Sequence, residues 1–224
     1  MTKEIIVPST LGDITLRQYQ AFLLKQEDIK NEELISIFCN ISVIEAMQLP
    51  INVFELAAVK IVQVLTINHK EIELKHRFNI NNTEYGMITN LEEITYGENK
   101  DITNYISDWK TMNQAMAVLY RPITKTFNST YKIESYEGTS KHKDAMLDMP
   151  VDVAIGVQNF FYNLTEALLN AIPNYLEQVH KDSQRKTIQS NKDQQMQEEY
   201  IKRTGDPMMR SIALLKETLE GLKR

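Results

Sequence analysis

Over most of its length this chain spaces its apolar residues three and four apart, the period of an α-helix lying on a core. Thr15-Leu16-Arg17-Gln18 has the form of a capping box, a hydroxyl at the N-cap and a glutamine three residues on. It opens a helix through Leu16, Tyr19, Phe22 and Leu23. A second helix is predicted from about Glu32 to Asn40, burying Leu34, Ile37, Phe38 and Ile41. Ser42-Val43-Ile44-Glu45 repeats the capping signature and starts a short helix that must stop before Pro50. From Asn52 to Thr66 the pattern is apolar nearly all round, which predicts the most buried helix of this half.

At residue 71 the period changes to two. Ile72, Leu74, His76, Phe78 and Ile80 alternate with polar residues, Asn81-Asn82 follows, and Thr83, Tyr85 and Met87 resume the run. This predicts a β-hairpin near 71–88. Helical spacing then returns from Ile102 to Tyr120 through Tyr105, Ile106, Trp109, Met112, Met116 and Leu119, ended by Arg121-Pro122. Residues 123–137 read as extended and Gly138-Thr139-Ser140 as a loop. A last body helix begins near Pro150 and runs through Val153, Val157, Phe160, Phe161 and Leu164, with a kink or split expected at Pro173. The opening Glu4–Pro8 run reads as an edge strand or extended arm.

Beyond Lys181 apolar residues almost vanish, and a polar arm is expected over 181–205. Asp206-Pro207 then caps a terminal amphipathic helix, 206–224, with Met209, Ile212, Leu215, Leu219 and Leu222 on one stripe. The expected fold is α+β and predominantly helical: six to eight helices with a small antiparallel hairpin or sheet, in a body spanning 1–180.

Composition removes many functions. The 224 residues include only seven glycines, the closest two, Gly86 and Gly97, eleven positions apart. That spacing excludes glycine-rich phosphate loops and the GxSxG nucleophile elbow. Gly156, inside a predicted helix, suggests close packing at a propensity cost of roughly 1 kcal/mol. A net charge of −5 gives no footprint for nucleic acid. The lone Cys39 forms no internal disulfide and, among Ile35, Phe38 and Ile41, reads as a buried thiol. No apolar run is long enough to span a membrane, and no signal-peptide core precedes Pro8, so a soluble cytoplasmic protein is expected.

Catalytic signals are equally sparse. His69, His76, His142 and His180 show no metal-ligand spacing, and Glu92-Glu93 and Glu198-Glu199 are consecutive pairs whose side chains diverge. Asp193–Glu199 lacks the glycine and alternation of a calcium loop. Asn128-Ser129-Thr130 matches the glycosylation triplet without a secretion signal to make it relevant. The stripe Tyr105, Trp109, Met112, Met116, Tyr120 reads as core rather than a cofactor groove. Arg121 is placed to complement a helix C-terminus and pair with an acid such as Asp108 or Glu134. No catalytic residue, cofactor or metal is expected. The terminal helix is too short to fold alone, so it must pack back, pair with a copy, or dock on another protein. Met208, Met209, Ile212, Leu215 and Leu219, with any exposed part of the Trp109 face, are the partner-binding candidates.

Four segments taken together carry a resemblance: DITLRQYQ from Asp13, EITYGE from Glu93, WKTMNQAMAVLYRP from Trp109, and MPVDVA from Met149 with Phe160-Phe161. They resemble tailed-bacteriophage proteins from AT-rich genomes that are assigned as tail assembly chaperones or structural-region proteins, over about residues 10–170. The resemblance implies a non-enzymatic factor that binds the tape-measure protein during tail morphogenesis in the bacterial host cytoplasm, with homo-oligomerisation open. Its alternative is a virion component such as a neck, connector or baseplate subunit. A small enzyme with a site outside known motifs is the third reading.

Overall fold

A computed structural model describes residues 5–128 and 130–187; side chains are described to Ile172, Leu168 excepted. The chain falls into two compact units, residues 1–164 and 165–224. Among the described residues there are seven α-helices and one four-stranded antiparallel sheet. The expected class, α+β and mainly helical, is the observed one.

The two sequence-legible capping boxes form. Thr15 caps α1 (Leu16–Leu23), its hydroxyl accepting from the Gln18 N–H while Gln18 reaches back to the Thr15 backbone. Ser42 and Glu45 do the same for α3 (Val43–Met47). Between them lies α2 (Asn31–Cys39), ended by Asn40 in the left-handed region at φ 53°. Cys39 is buried, and burial raises its thiol pKa. Helix α4 (Ile51–Leu65) follows Pro50.

The hairpin is shorter than its alternation suggests. Strands β1 (Arg77–Ile80) and β2 (Thr83–Met87) pair in the register Ile80↔Thr83 and Phe78↔Tyr85. Asn81 and Asn82 both take positive φ, 47° and 66°, as a tight two-residue hairpin turn requires. Residues 72–76 continue the alternation but join no ladder.

The helix expected over 102–120 is three elements. Helix α5 (Tyr96–Tyr105) starts at a third capping box, Thr95 with Glu98. A 3-10 turn, Trp109–Thr111, is capped by Asp108, and α6 (Met112–Leu119) completes the run. Arg121-Pro122 directly follows the end of α6, which stops at Leu119 with Tyr120 as its C-cap, as expected. It lies in β3 (Tyr120–Phe127), which pairs with β2 on one side and β4 (Thr130–Ile133) on the other.

Helix α7 (Val151–Thr187) is continuous through Pro173, so the expected split does not occur. Its first turns are buried with α6: Val151, Val153, Ala154, Val157, Met112, Ala115, Met116, Val118 and Leu119 are all fully enclosed. These side chains, each worth about 1.5–3 kcal/mol when large and aliphatic, are the centre of the core. Gly156 permits a close backbone approach in that core. A Cβ there would lie 2.4 Å from the Glu73 carbonyl oxygen. The helix grips the 69–75 segment along one line, with Asn159 Nδ2 donating to the His69 and Ile72 carbonyls and Asp152 pairing with Lys75 at 2.6 Å. The opening run pairs in no strand; Ile5 and Val7 pack on the core while Ile6 points out.

Candidate functional site

The most informative departure from the sequence expectation is α4. Its apolar residues divide between two faces. Ala57, Ala58, Ile61 and Val64 are buried, whereas Ile51 is 70% exposed, Leu56 56%, Val59 53% and Val62 48%. The helix expected to be the most buried of its half is half uncovered, and α2, which buries Leu34, Ile35, Phe38 and Cys39 among nine residues, takes that place. Ile51, Glu55, Val59 and Val62 follow one another at four, four and three residues, a line along the outer face, with Leu56 beside it. On the preceding α3, Ile44 and Met47, three apart, are each 69% exposed. Exposed aliphatic side chains scattered singly need no explanation; here six are exposed on two helices consecutive in sequence.

The second feature surrounds Trp109. The indole is half-buried, its ring meeting the Tyr19 edge at 4.9 Å, and its backbone carbonyl accepts from Gln20 Nε2 at 2.6 Å. Beside it, Gln20, Leu23, Leu24, Ser107, Asp108 and Trp109 line a hollow of about 290 Å³. A second hollow of about 490 Å³ shares Leu23, Leu24 and Gln26 and extends over Glu27, Asp28 and Glu33. Of the aromatic–methionine stripe, Met112, Met116 and Tyr120 are core, while Trp109 and Tyr105 are half-buried. Met208, Met209, Ile212, Leu215 and Leu219 lie outside the described residues.

The polar chemistry inside the body is structural. Arg121 pairs with Glu98, Nη2 to Oε1 at 2.7 Å, both side chains under a tenth exposed. Its partner is thus neither Asp108 nor Glu134. Burial alone pushes the Glu98 carboxyl up. Hydrogen bonds from the Thr95 N–H and hydroxyl, with the Arg121 charge, hold it below its ordinary value. Tyr136 stands over the Arg121 guanidinium and donates its hydroxyl to Asp101; burial first, then that carboxylate, raise its pKa. A separate surface group ties Glu134 to Lys141 and to His142 Nε2, the latter at 2.9 Å. Neither group opens onto one of the two hollows. Among the described residues no three His, Cys, Asp or Glu side chains stand together as a metal site, and no helix is long and apolar enough to cross a membrane.

No protein-family model, curated protein or solved structure matches this chain.

Proposed function

We propose that this chain is a non-enzymatic protein-binding factor acting as a bacteriophage tail assembly chaperone, covering apolar stripes of the tape-measure protein until tail subunits assemble around it. The uncovered aliphatic face of α3 and α4 carries this reading. Covering six side chains that are half to two-thirds exposed yields on the order of 6 kcal/mol. Association costs about 4–15 kcal/mol. The face therefore supports binding that is weak and reversible unless other contacts add to it, which suits a factor that must later let go. The four resembling segments supply the biological setting.

The test is co-expression with the tape-measure protein encoded in the same genome. The full chain is expected to co-purify with it and keep it in solution, and Leu56→Glu with Val59→Glu to lose most of that effect while folding normally. Equal protection by the double variant would remove the α4 face from the function. Failure of the wild-type chain to bind would end the chaperone reading. Immunoblotting of purified particles separates the alternative, since a virion component stays in stoichiometric amounts and a chaperone does not. A 1–204 truncation measures what Met208, Met209, Ile212, Leu215 and Leu219 contribute.

A further inference from the structure

The cleft beside Trp109 differs in chemistry from the α3–α4 face. The hollow beside the indole is mainly apolar, the other is mainly polar, and Leu23 and Leu24 line both, Leu24 standing 64% exposed. The rim of the cleft is acidic. Glu27, Asp28, Glu33 and Asp108 stand with Lys25 and Lys110, and Lys30 also acts on Glu33, so four carboxylates meet three ammonium groups. One of those ammonium groups is committed: Lys25 Nζ holds Glu33 at 2.7 Å and so braces the loop between α1 and α2. Asp108 spends one oxygen capping the Lys110 N–H but keeps its charge. Glu27 and Asp28 are exposed and have no ion-pair partner among the described residues.

The walls are also preset. Gln20 donates to the Trp109 carbonyl, joining α1 to the 107–110 loop, and the Tyr19 ring packs edge-on with the indole at 4.9 Å. A preset cleft with one apolar hollow and surplus negative charge selects by sign as well as by shape, because a bare carboxylate loses hydration on contact unless a cation replaces it.

We infer that the Leu24–Trp109 cleft docks an amphipathic helical segment of a partner protein, a large aliphatic side chain entering the hollow beside Trp109 and Lys or Arg residues meeting Glu27 and Asp28 in the polar hollow and Asp108 at the rim. Helix-in-groove recognition uses anchors one turn apart, and two hollows sharing one wall accept such a pair. The inference stands on this cleft alone and holds whatever covers the α3–α4 face.

Trp109 is the single tryptophan of the chain, so its emission reports the cleft directly. The experiment titrates the full chain with a synthetic Leu/Lys amphipathic helical peptide of about 15 residues and with its Leu/Glu counterpart. The expected result is a saturable blue shift with the Leu/Lys peptide only, weakening several-fold between about 0.05 and 0.3 M salt. Glu27→Lys with Asp28→Lys should weaken binding at least about fivefold, and Leu24→Asp should abolish it. All three positions are exposed, so thermal midpoints should stay within about 2 °C of wild type. The Leu56→Glu/Val59→Glu chain should bind the peptide as wild type does. Equal binding of the Leu/Glu peptide, no emission response, or undiminished binding by the Leu24 or charge-reversed variants would overturn the proposal. So would loss of peptide binding in the α4 variant. Self-association that shifts Trp109 emission without peptide would assign the cleft to a second copy instead, and equally overturn it.

Discussion

Gly156→Ala sets helix propensity and core packing against each other at one position. By propensity alone, alanine in the interior of α7 stabilises by about 1 kcal/mol. Steric crowding opposes that gain and outweighs it. The added methyl would lie 2.4 Å from the Glu73 carbonyl oxygen, 3.1 Å from its carbon and 3.3 Å from Leu74 Cα, all backbone atoms that no rotamer change can move aside. Overpacking of this kind costs about 1–3 kcal/mol. If the 69–75 segment moves off the helix instead, the two Asn159 bonds to the His69 and Ile72 carbonyls, at 2.6 and 3.0 Å, lengthen, at about 0.5–1.5 kcal/mol each. The net expectation is destabilisation by about 1–4 kcal/mol, a fall in melting temperature of roughly 2–4 °C per kcal/mol for a chain of this size. Thermal unfolding followed by circular dichroism reads it. Gly97→Ala in α5 is the internal control: its nearest neighbours would be at 3.8 and 3.9 Å, ordinary contact, so that variant should gain roughly 0.5 kcal/mol. A Gly156→Ala chain melting at or above wild type would refute the close approach of α7 to the 73–74 backbone.

Three further outcomes follow from the body. Arg121→Met leaves Glu98 buried and uncompensated and should cost about 3–5 kcal/mol at neutral pH, with Glu98→Gln added to it restoring most of the loss; a double variant no more stable than the single would show the pair to be uncoupled. The Glu98 carboxyl has a folded pKa below its ordinary 4.5, so its contribution is present above that pH and is lost as pH falls through the folded value. Asp13, held at about 2 by hydrogen bonds from the Ser9 hydroxyl and from the Ser9 and Thr10 N–H groups, acts in the same direction from 3.8 downwards. Melting temperature measured from pH 6 to 3 should therefore fall, and less steeply in Glu98→Gln; an unchanged slope in that variant would remove Glu98 from the effect. Asn82→Gly, at φ 66°, should stabilise the β1–β2 turn by roughly 0.5–1 kcal/mol in urea unfolding, and a loss would contradict the left-handed turn geometry.

What is legible in the sequence is what short-range chemistry decides. Thr15 with Gln18 and Ser42 with Glu45 announce helix starts because the hydrogen bonds close within four residues. Asn81-Asn82 announces its turn because asparagine tolerates positive φ. Gly156 marks a close approach for the same kind of reason, the absence of a Cβ. Two signals are present but outweighed: Asp108 before Trp109 lies in a stretch whose apolar spacing carries helical period straight across the break, and Thr95 with Glu98 precedes that stretch, where the run from Gly97 to Asp101 offers no apolar residue to mark a helix face. The exposure of α4 has no local signal, since periodicity counts apolar residues but not the neighbours available to cover them. Trp109 can be singled out from the sequence, but its acidic companions Glu27 and Asp28 come from the α1–α2 loop, some eighty residues away, and only folding brings them together.

The junction between the start of α1 and the start of α7 bears on how the chain reaches this state. Ile14 O accepts from the Val151 N–H at 2.8 Å, Met149 O accepts from the Leu16 N–H at 2.9 Å, and Thr15 bridges Pro150. These bonds lie among the most enclosed side chains, Ile14, Leu16, Met149 and Val151. During synthesis, then, α1 leaves the ribosome without its partner, and its apolar side stays wet until the residues around 150 have been made. Local helices form in microseconds, whereas this closure waits for more than a hundred further residues at about 5–20 per second. The body should consequently fold late and as a unit, with any nascent chain that ends before residue 150 remaining open to proteolysis.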